Sequence, residues 1–435
     1  MSARAPLWYE LLWRLVLPVA LLRLWWRGRK EPGYRQHLGE RLGRYPALPD
    51  ARPVIWVHAV SVGETRAAEP LLTALRERHP DHRFVLTHMT AAGRATGQAL
   101  FGELVTQAWF PYDTAAGAGR FFDWCRPRFG LLMETELWPN AILVAAARGI
   151  PVFLVNGRMS ARSAQGYARV ARLSRRMLGA LTGVAAQTDA DAERLSALGA
   201  AQITVTGNVK FEVAVPEAAV MRGHALRRMF GVSRPILVAG STRDGEEVLL
   251  LAALSRAPLP ADALVVIVPR HPQRFDAVAE LLRQRGLRFV RRSSGKAVPA
   301  DVPIVLGDTM GEMFAYYAAA DVAFIGGSLL PLGGQNLIEP LAVGTPVLIG
   351  PSSFNFAEAT RDAVGRGAAR QGADADAIVA AAAELLGNPA LRVRMRTAGG
   401  EMLAAHLGAT RRTLDWVEAR LAARGSPAEP TAARD

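Results

Sequence analysis

Cysteine is all but missing from this 435-residue chain: Cys125 stands alone, so no internal disulfide and no multi-cysteine metal site can form, which fits a reducing compartment. Lysine is nearly as scarce. Of 52 basic residues only Lys30, Lys210 and Lys296 are lysines, a hint that each has a chemical reason to be there. Acidic residues number 39, leaving a net charge of +13 that favours an anionic partner: nucleic acid, acidic lipid or a phosphorylated substrate. Charge alone does not choose among them. Repeats and heptads are absent, and so are G-x-G-x-x-G and G-x-x-x-x-G-K-[ST], which argues against a dinucleotide oxidoreductase or a P-loop NTPase. A long apolar run free of charge is missing too. The nearest, residues 7–26 (LWYELLWRLVLPVALLRLWW), has the length of a membrane-crossing helix but contains Glu10, Arg14, Pro18 and Arg23. Arg27, Arg29 and Lys30 follow it where a cleaved signal peptide would show small residues. Trp25 and Trp26 beside that basic cluster read as an interfacial membrane anchor with its positive end in the cytoplasm, the alternative being an amphipathic helix packed on the protein itself.

What is present is apolar: 50% of residues are hydrophobic and 21% charged, and the length suits two folded domains. After a connector from Tyr45 to Pro53, short apolar runs at 53–59, 83–88, 105–110, 129–134, 151–156 and 183–187 alternate with helical patterns, the mark of βαβ units and a parallel sheet. A polar, proline-containing join near 212–234 precedes a second series at 235–240, 263–269, 302–307, 321–326 and 345–350. Two doubly wound α/β domains follow. In such sheets ligands bind beyond the carboxyl ends of the strands, and a cleft between two of them is the expected reaction chamber. Residues 399–424 read as one long arginine-rich helix, and 425–435 as a disordered tail.

The loops after the strands carry the chemistry. The first run ends in HAVSVGE, where Gly63 permits a tight turn and Glu64 reaches the site at a helix N-terminus; complementing the helix dipole would be its plain structural role. METELWPN follows the fourth run. Glu134 lies nearest the strand tip, whereas Thr135 and Glu136 read as helix caps ahead of Pro139. TGNVKF and VPRHP each set one cation, Lys210 and Arg270, just past a strand, where phosphate or carboxylate would meet it. GDTMGE, GGS (326–328) and GGQNLIEP place glycines beside helix starts, whose exposed N–H groups bind phosphate, and Glu339 is placed to accept two ribose hydroxyls. Together these loops read as a nucleotide-sugar site.

These stretches, with NGRMSARSAQGY and VPRHPQRF, resemble the 3-deoxy-D-manno-octulosonic acid (Kdo) transferases of Gram-negative lipopolysaccharide biosynthesis, from the LWWRGRKEPGYRQHLGERLG region to about residue 365. The resemblance implies a GT-B fold of two Rossmann-like domains facing across a cleft, with an N-terminal membrane-anchoring helix. It assigns 1–35 to the anchor, 36–225 to an acceptor-binding domain and 226–424 to a CMP-sugar-binding domain. It implies CMP-Kdo as donor, a lipid A precursor as acceptor, an anionic membrane surface at the cytoplasmic face of the inner membrane, and neither metal, cofactor nor nucleic acid. Carried over by motif, Glu64 becomes the general base, and Glu134 and Lys210 stabilise the transition state. CMP contacts fall on Pro269 and Arg270, on Met310, Gly311 and Glu312, and on Asn336, Leu337, Ile338 and Glu339. Gln335 stands where some members have histidine. Two other readings compete: another GT-B enzyme, such as a nucleotide-sugar epimerase, and a non-catalytic protein binding anionic lipid or nucleic acid through its arginines. The second leaves the carboxylates after strands unexplained.

Overall fold

The computed structural model describes residues 4–29, 31–212, 215–257 and 259–425, which divide into two α/β units. The first takes in residues 1–212 and 406–435, the second 213–405.

In the first unit the strands are β1 (Val54–His58), β2 (Arg83–His88), β3 (Thr106–Trp109), β4 (Pro127–Met133), β5 (Val152–Gly157), β6 (Gly183–Ala186) and β7 (Ile203–Val205). All pair in parallel, in the order β3-β2-β1-β4-β5-β6-β7. Helices cover both faces, so β1 is buried at every position and reads as a continuous apolar run. Trp56 on β1 turns its ring toward β4, where a Cβ at Gly130 would overlap it. The strand order reverses between β1 and β4, so the loops that follow them, carrying Glu64 and Glu134, open at the switch point.

The second unit repeats the plan. Its strands are β8 (Ile236–Thr242), β9 (Leu264–Pro269), β10 (Phe289–Arg291), β11 (Ile304–Leu306), β12 (Val322–Ile325), β13 (Val347–Ile349) and β14 (Ala369–Gln371). They too are parallel, in the order β10-β11-β9-β8-β12-β13-β14, and the reversal falls between β8 and β12.

Each expected apolar run is a strand, and three further strands, β7, β10 and β14, were not expected. All three are edge strands of three residues, and each is partly exposed. A strand at the edge of a sheet needs no continuous apolar face, so its sequence carries little periodic signal. The expected join at 212–234 holds a helix, Glu217–Phe230, whose buried Ala219, Gly223, Leu226 and Phe230 belong to the second unit. The long C-terminal helix is two: Pro389–Ala404 ends in a turn at 405–408, with Gly408 at φ +77°, and Ala409–Gly425 begins anew. That second helix returns to the first unit and not, as the expected boundary at 226–424 had it, to the second. Its Ala409, Leu414 and Val417 are buried in the first unit's core, Arg412 donates to the Thr206 carbonyl, and Arg78 pairs with Asp415 and Glu418. Such distant packing leaves no local trace. Beyond Gly425, the expected tail lies outside the described residues.

The N-terminal helix is Leu7–Arg27, and among the described residues no helix is long and apolar enough to cross a membrane. One face packs on the first unit through Trp13, Leu17, Leu21 and Leu24. Hydrogen bonds fix it there: the Ala5 N–H donates to Asn140 Oδ1 at 2.9 Å, and the Tyr9 hydroxyl to Asp113 at 2.8 Å. The opposite face, Leu7, Trp8, Leu11, Leu15, Val19, Leu22 and Trp26, is exposed. The packed face is that of the alternative reading, an amphipathic helix on the protein itself.

Candidate active site

In the first unit, the turn after β1 is made by Ser61, which caps the helix Val62–Arg78 by accepting the Glu64 N–H. Gly63 lies within the first helical turn and is not what turns the chain. Glu64 answers the cap: its carboxylate accepts the Val60 N–H at 2.7 Å and the Ser61 hydroxyl at 3.0 Å. That is a reciprocal capping arrangement, so the structural role is real. It also aims a half-buried carboxylate beyond the strand tip. Burial raises its pKa above the usual carboxylate range and the nearby Glu134 adds to the shift, while the Val60 and Ser61 bonds oppose it. A base with an elevated pKa is the better proton acceptor near neutral pH.

Glu134 directly follows β4 with φ +55°, a left-handed conformation that a glutamate adopts only when its surroundings impose it. Its own N–H is held by the Val155 carbonyl and its carbonyl by the Arg158 N–H. The carboxylate pairs with Lys210 Nζ at 2.5 Å. Lys210 owes its place to three amide side chains. Asn208 Oδ1 accepts the Lys210 N–H, Asn156 Oδ1 accepts the Val209 N–H, and Gln187 binds both Asn208 and the Asn156 carbonyl. Asn156 also has positive φ, +52°. The Glu134–Lys210 pair thus stands on a buried polar frame, a preorganised group that keeps its geometry as charge develops.

Glu136 does not cap the following helix, Pro139–Ala147. The helix N–H groups of Asn140 and Ala141 are bound instead by the buried carboxylate of Asp113, far away in sequence, which frees Glu136 for the site. Trp138 Nε1 donates to Glu136 at 3.1 Å, and burial, then the charge of Glu64, push its pKa up to about 8. At neutral pH Glu136 therefore keeps its proton. His58 Nε2 lies 4.0 Å from it. His58 is fully buried with its pKa lowered to about 3 by desolvation, so this is a contact between neutral groups. Thr87 Oγ1 receives Trp56 Nε1–H at 2.8 Å, lies 2.8 Å from His58 Nδ1 and reaches the Val57 carbonyl at 3.3 Å. Sequence reading passed over Glu136 as a cap.

In the second unit, Arg270 follows Pro269 at the end of β9, exposed and with no acidic partner among the described residues. Met310 and Gly311 are exposed beyond β11. Glu312 has its carboxylate engaged by Arg292 at 3.1 Å and by the Thr309 hydroxyl at 2.6 Å, so this turn offers backbone to a ligand. Asn336 Oδ1 accepts the Ile338 N–H at 2.9 Å, and its Nδ2 donates to Glu339 at 3.2 Å. Leu337 and Ile338 are buried and hold the short helix Ile338–Ala342 in place.

Two acids that sequence reading missed organise these loops. Glu246, fully buried in the first turn of the helix Glu246–Arg256, accepts the N–H groups of Arg243 (2.8 Å), Gly327 (2.5 Å) and Leu329 (2.9 Å). Glu247, also fully buried, takes a two-pronged ion pair from Arg274 at 2.6 and 3.0 Å and the Thr242 hydroxyl at 2.7 Å. Between them they tie the loops after β8, β9 and β12. The signal was two adjacent acids in STRDGEE directly after an apolar strand.

A family model described as 3-deoxy-D-manno-octulosonic-acid transferase (kdotransferase) matches residues 36–213. The "3-deoxy-D-manno-octulosonic acid transferase" of Bordetella pertussis is 46% identical over 426 residues, covering 94% of this chain and 98% of the relative. Among solved structures, a glycosyltransferase from Rickettsia africae aligns with TM-score 0.52 at 14% identity, over 87% of this chain and 100% of its own. A UDP-GlcNAc 2-epimerase from Neisseria meningitidis aligns with TM-score 0.54 at 14% identity, over 84% and 100%. These two speak for a GT-B-like fold alone, and their differing chemistries show that the fold does not select the reaction.

Proposed function

The chain belongs to the 3-deoxy-D-manno-octulosonic acid transferase family, and from that premise we propose that it moves Kdo from CMP-Kdo to a hydroxyl of a lipid A precursor, lipid IVA, at the cytoplasmic face of the inner membrane. The observation that carries the reading is Glu64: a half-buried carboxylate of raised pKa beyond β1, next to the Glu134–Lys210 ion pair at the switch point of the first sheet.

In the proposed reaction the acceptor O–H gives its proton to Glu64 as its oxygen bonds to the anomeric carbon of Kdo. The bond from that carbon to the CMP phosphate oxygen breaks, and CMP leaves with the electron pair. Direct attack inverts the anomeric centre. Lys210 and Glu134 steady the charge that develops near the sugar. Arg270, the backbone at 310–312 and the turn at Asn336 hold the leaving nucleotide, with Glu339 toward its ribose. At the membrane, the exposed leucines and tryptophans of Leu7–Arg27 support attachment along the surface, and the net charge of +13 favours anionic lipid.

Arg270→Ala tests the donor half of this reading. Its side chain packs in no core, so the fold should stand, while the lost charge-assisted contacts should raise the KM for CMP-Kdo by about tenfold. An unchanged KM would remove Arg270 from the site.

A further inference from the structure

CMP-Kdo carries two anions, the phosphodiester and the carboxylate of the sugar, so a site that reads the whole donor needs a cationic match for each. Arg270 answers the phosphate. Lys210 already pairs with Glu134 at 2.5 Å, its charge matched inside the first unit. A second cation is needed.

The second unit supplies one beside the first. Thr242 of β8 and Pro269 of β9 are register partners, and the Arg270 N–H donates to the Thr242 carbonyl at 2.9 Å. Arg243 and Arg270, the residues that follow these two strands, therefore leave neighbouring strand tips of a parallel sheet. Arg243 also stands at the β8/β12 reversal, where ligands of such sheets bind. On its other side lies the Gly326–Gly327 turn, packed so closely on the β8 tip that a Cβ at Gly326 would overlap the Ser241 carbonyl, with the Gly327 Cα region against the Arg243 stem. Glu246 locks both, accepting the Arg243 and Gly327 N–H groups.

Its charge is available. Three arginines crowd His271, whose pKa is lowered by partial desolvation and by Arg243, Arg270 and Arg274. Arg274 is neutralised by Glu247 and Asp244. Arg243, half-buried, has no acidic partner among the described residues. A guanidinium fixed at its backbone and open at its head presents the planar fork that pairs with a carboxylate.

We propose that Arg243 binds the carboxylate of the donor sugar, next to Arg270 on the donor phosphate, and so makes the site selective for a CMP-linked acidic sugar. This rests on the donor reading above, and CMP separates the two because it has the phosphate and lacks the carboxylate. The test is Arg243→Met, which keeps the packing of the stem, assayed for CMP affinity by calorimetry and for steady-state turnover of CMP-Kdo with lipid IVA. The expected result is CMP affinity within about twofold of wild type and a KM for CMP-Kdo raised about tenfold or more, with kcat much less affected. Retained CMP affinity also reports an intact fold. An unchanged KM, or equal losses for CMP and CMP-Kdo, would overturn the proposal, the latter by making Arg243 a phosphate ligand. Failure of the wild-type protein to bind CMP at all would instead overturn the donor reading itself.

Discussion

Glu64 shows how one residue serves structure and chemistry together. It caps its helix through Val60 and Ser61 and is the candidate base, and the two roles separate on replacement by Gln. Glutamine keeps the accepting carbonyl but takes no proton. Turnover should fall by roughly 10²- to 10⁴-fold, while CMP affinity stays the same and stability drops by about 1 kcal/mol or less. Single-turnover rates with the melting temperature of the same variant decide it; a near-normal rate would leave only the cap. Glu136 makes a different prediction. Its pKa is about 8 in the fold against an ordinary 4.5, so the folded protein binds a proton that the unfolded chain has lost between those values. Its stabilising contribution is fully present below about pH 4.5 and is lost as pH rises toward 8. Glu136→Gln has no such proton to lose, so from pH 5 to pH 8 its stability relative to wild type should improve by a few kcal/mol. Denaturant unfolding across that range checks this, and a constant difference would refute the raised pKa. At this scale the sequence was legible where composition made a residue conspicuous, as with Lys210 in an arginine-rich chain. It was illegible where the partner is remote. Nothing near Glu136 announces that Asp113 has taken over the helix N-terminus.

Among the elements, interior strands could be read, as could the edge strand β3, and the three-residue edge strands could not. Runs such as VIWVH on β1 are enclosed on both faces and must be apolar throughout, whereas β7, β10 and β14 have neighbours on one side only. The helix Ala409–Gly425 has its buried Leu414 and Val417 set among arginines, so its charge hid its attachment to the first unit. The N-terminal helix carries its own prediction. Leu11, Leu15, Val19 and Leu22 face away from the unit that holds Trp13, Leu17 and Leu24. Changing those four to glutamine should leave the melting temperature within about 2 °C of wild type, since none packs in the core. Removing that much apolar surface should weaken binding to anionic vesicles by about tenfold or more. Sedimentation with phosphatidylglycerol vesicles measures it. Undiminished binding by the four-residue variant would move the attachment elsewhere.

For the whole molecule, two parallel sheets with reversals at β1/β4 and β8/β12 put the proposed base, Glu64, in one unit and the loops proposed for the donor phosphate in the other. That division of labour suits transfer from a nucleotide sugar to a separate acceptor. Fold likeness alone would equally allow an epimerase, so the distinction rests on product. The direct measurement is mass spectrometry of the lipid after incubating the purified protein with CMP-Kdo and lipid IVA. The account predicts lipid IVA enlarged by Kdo, with CMP released in step with it. Unchanged lipid IVA beside intact CMP-Kdo, from protein that is folded and binds CMP, would contradict it.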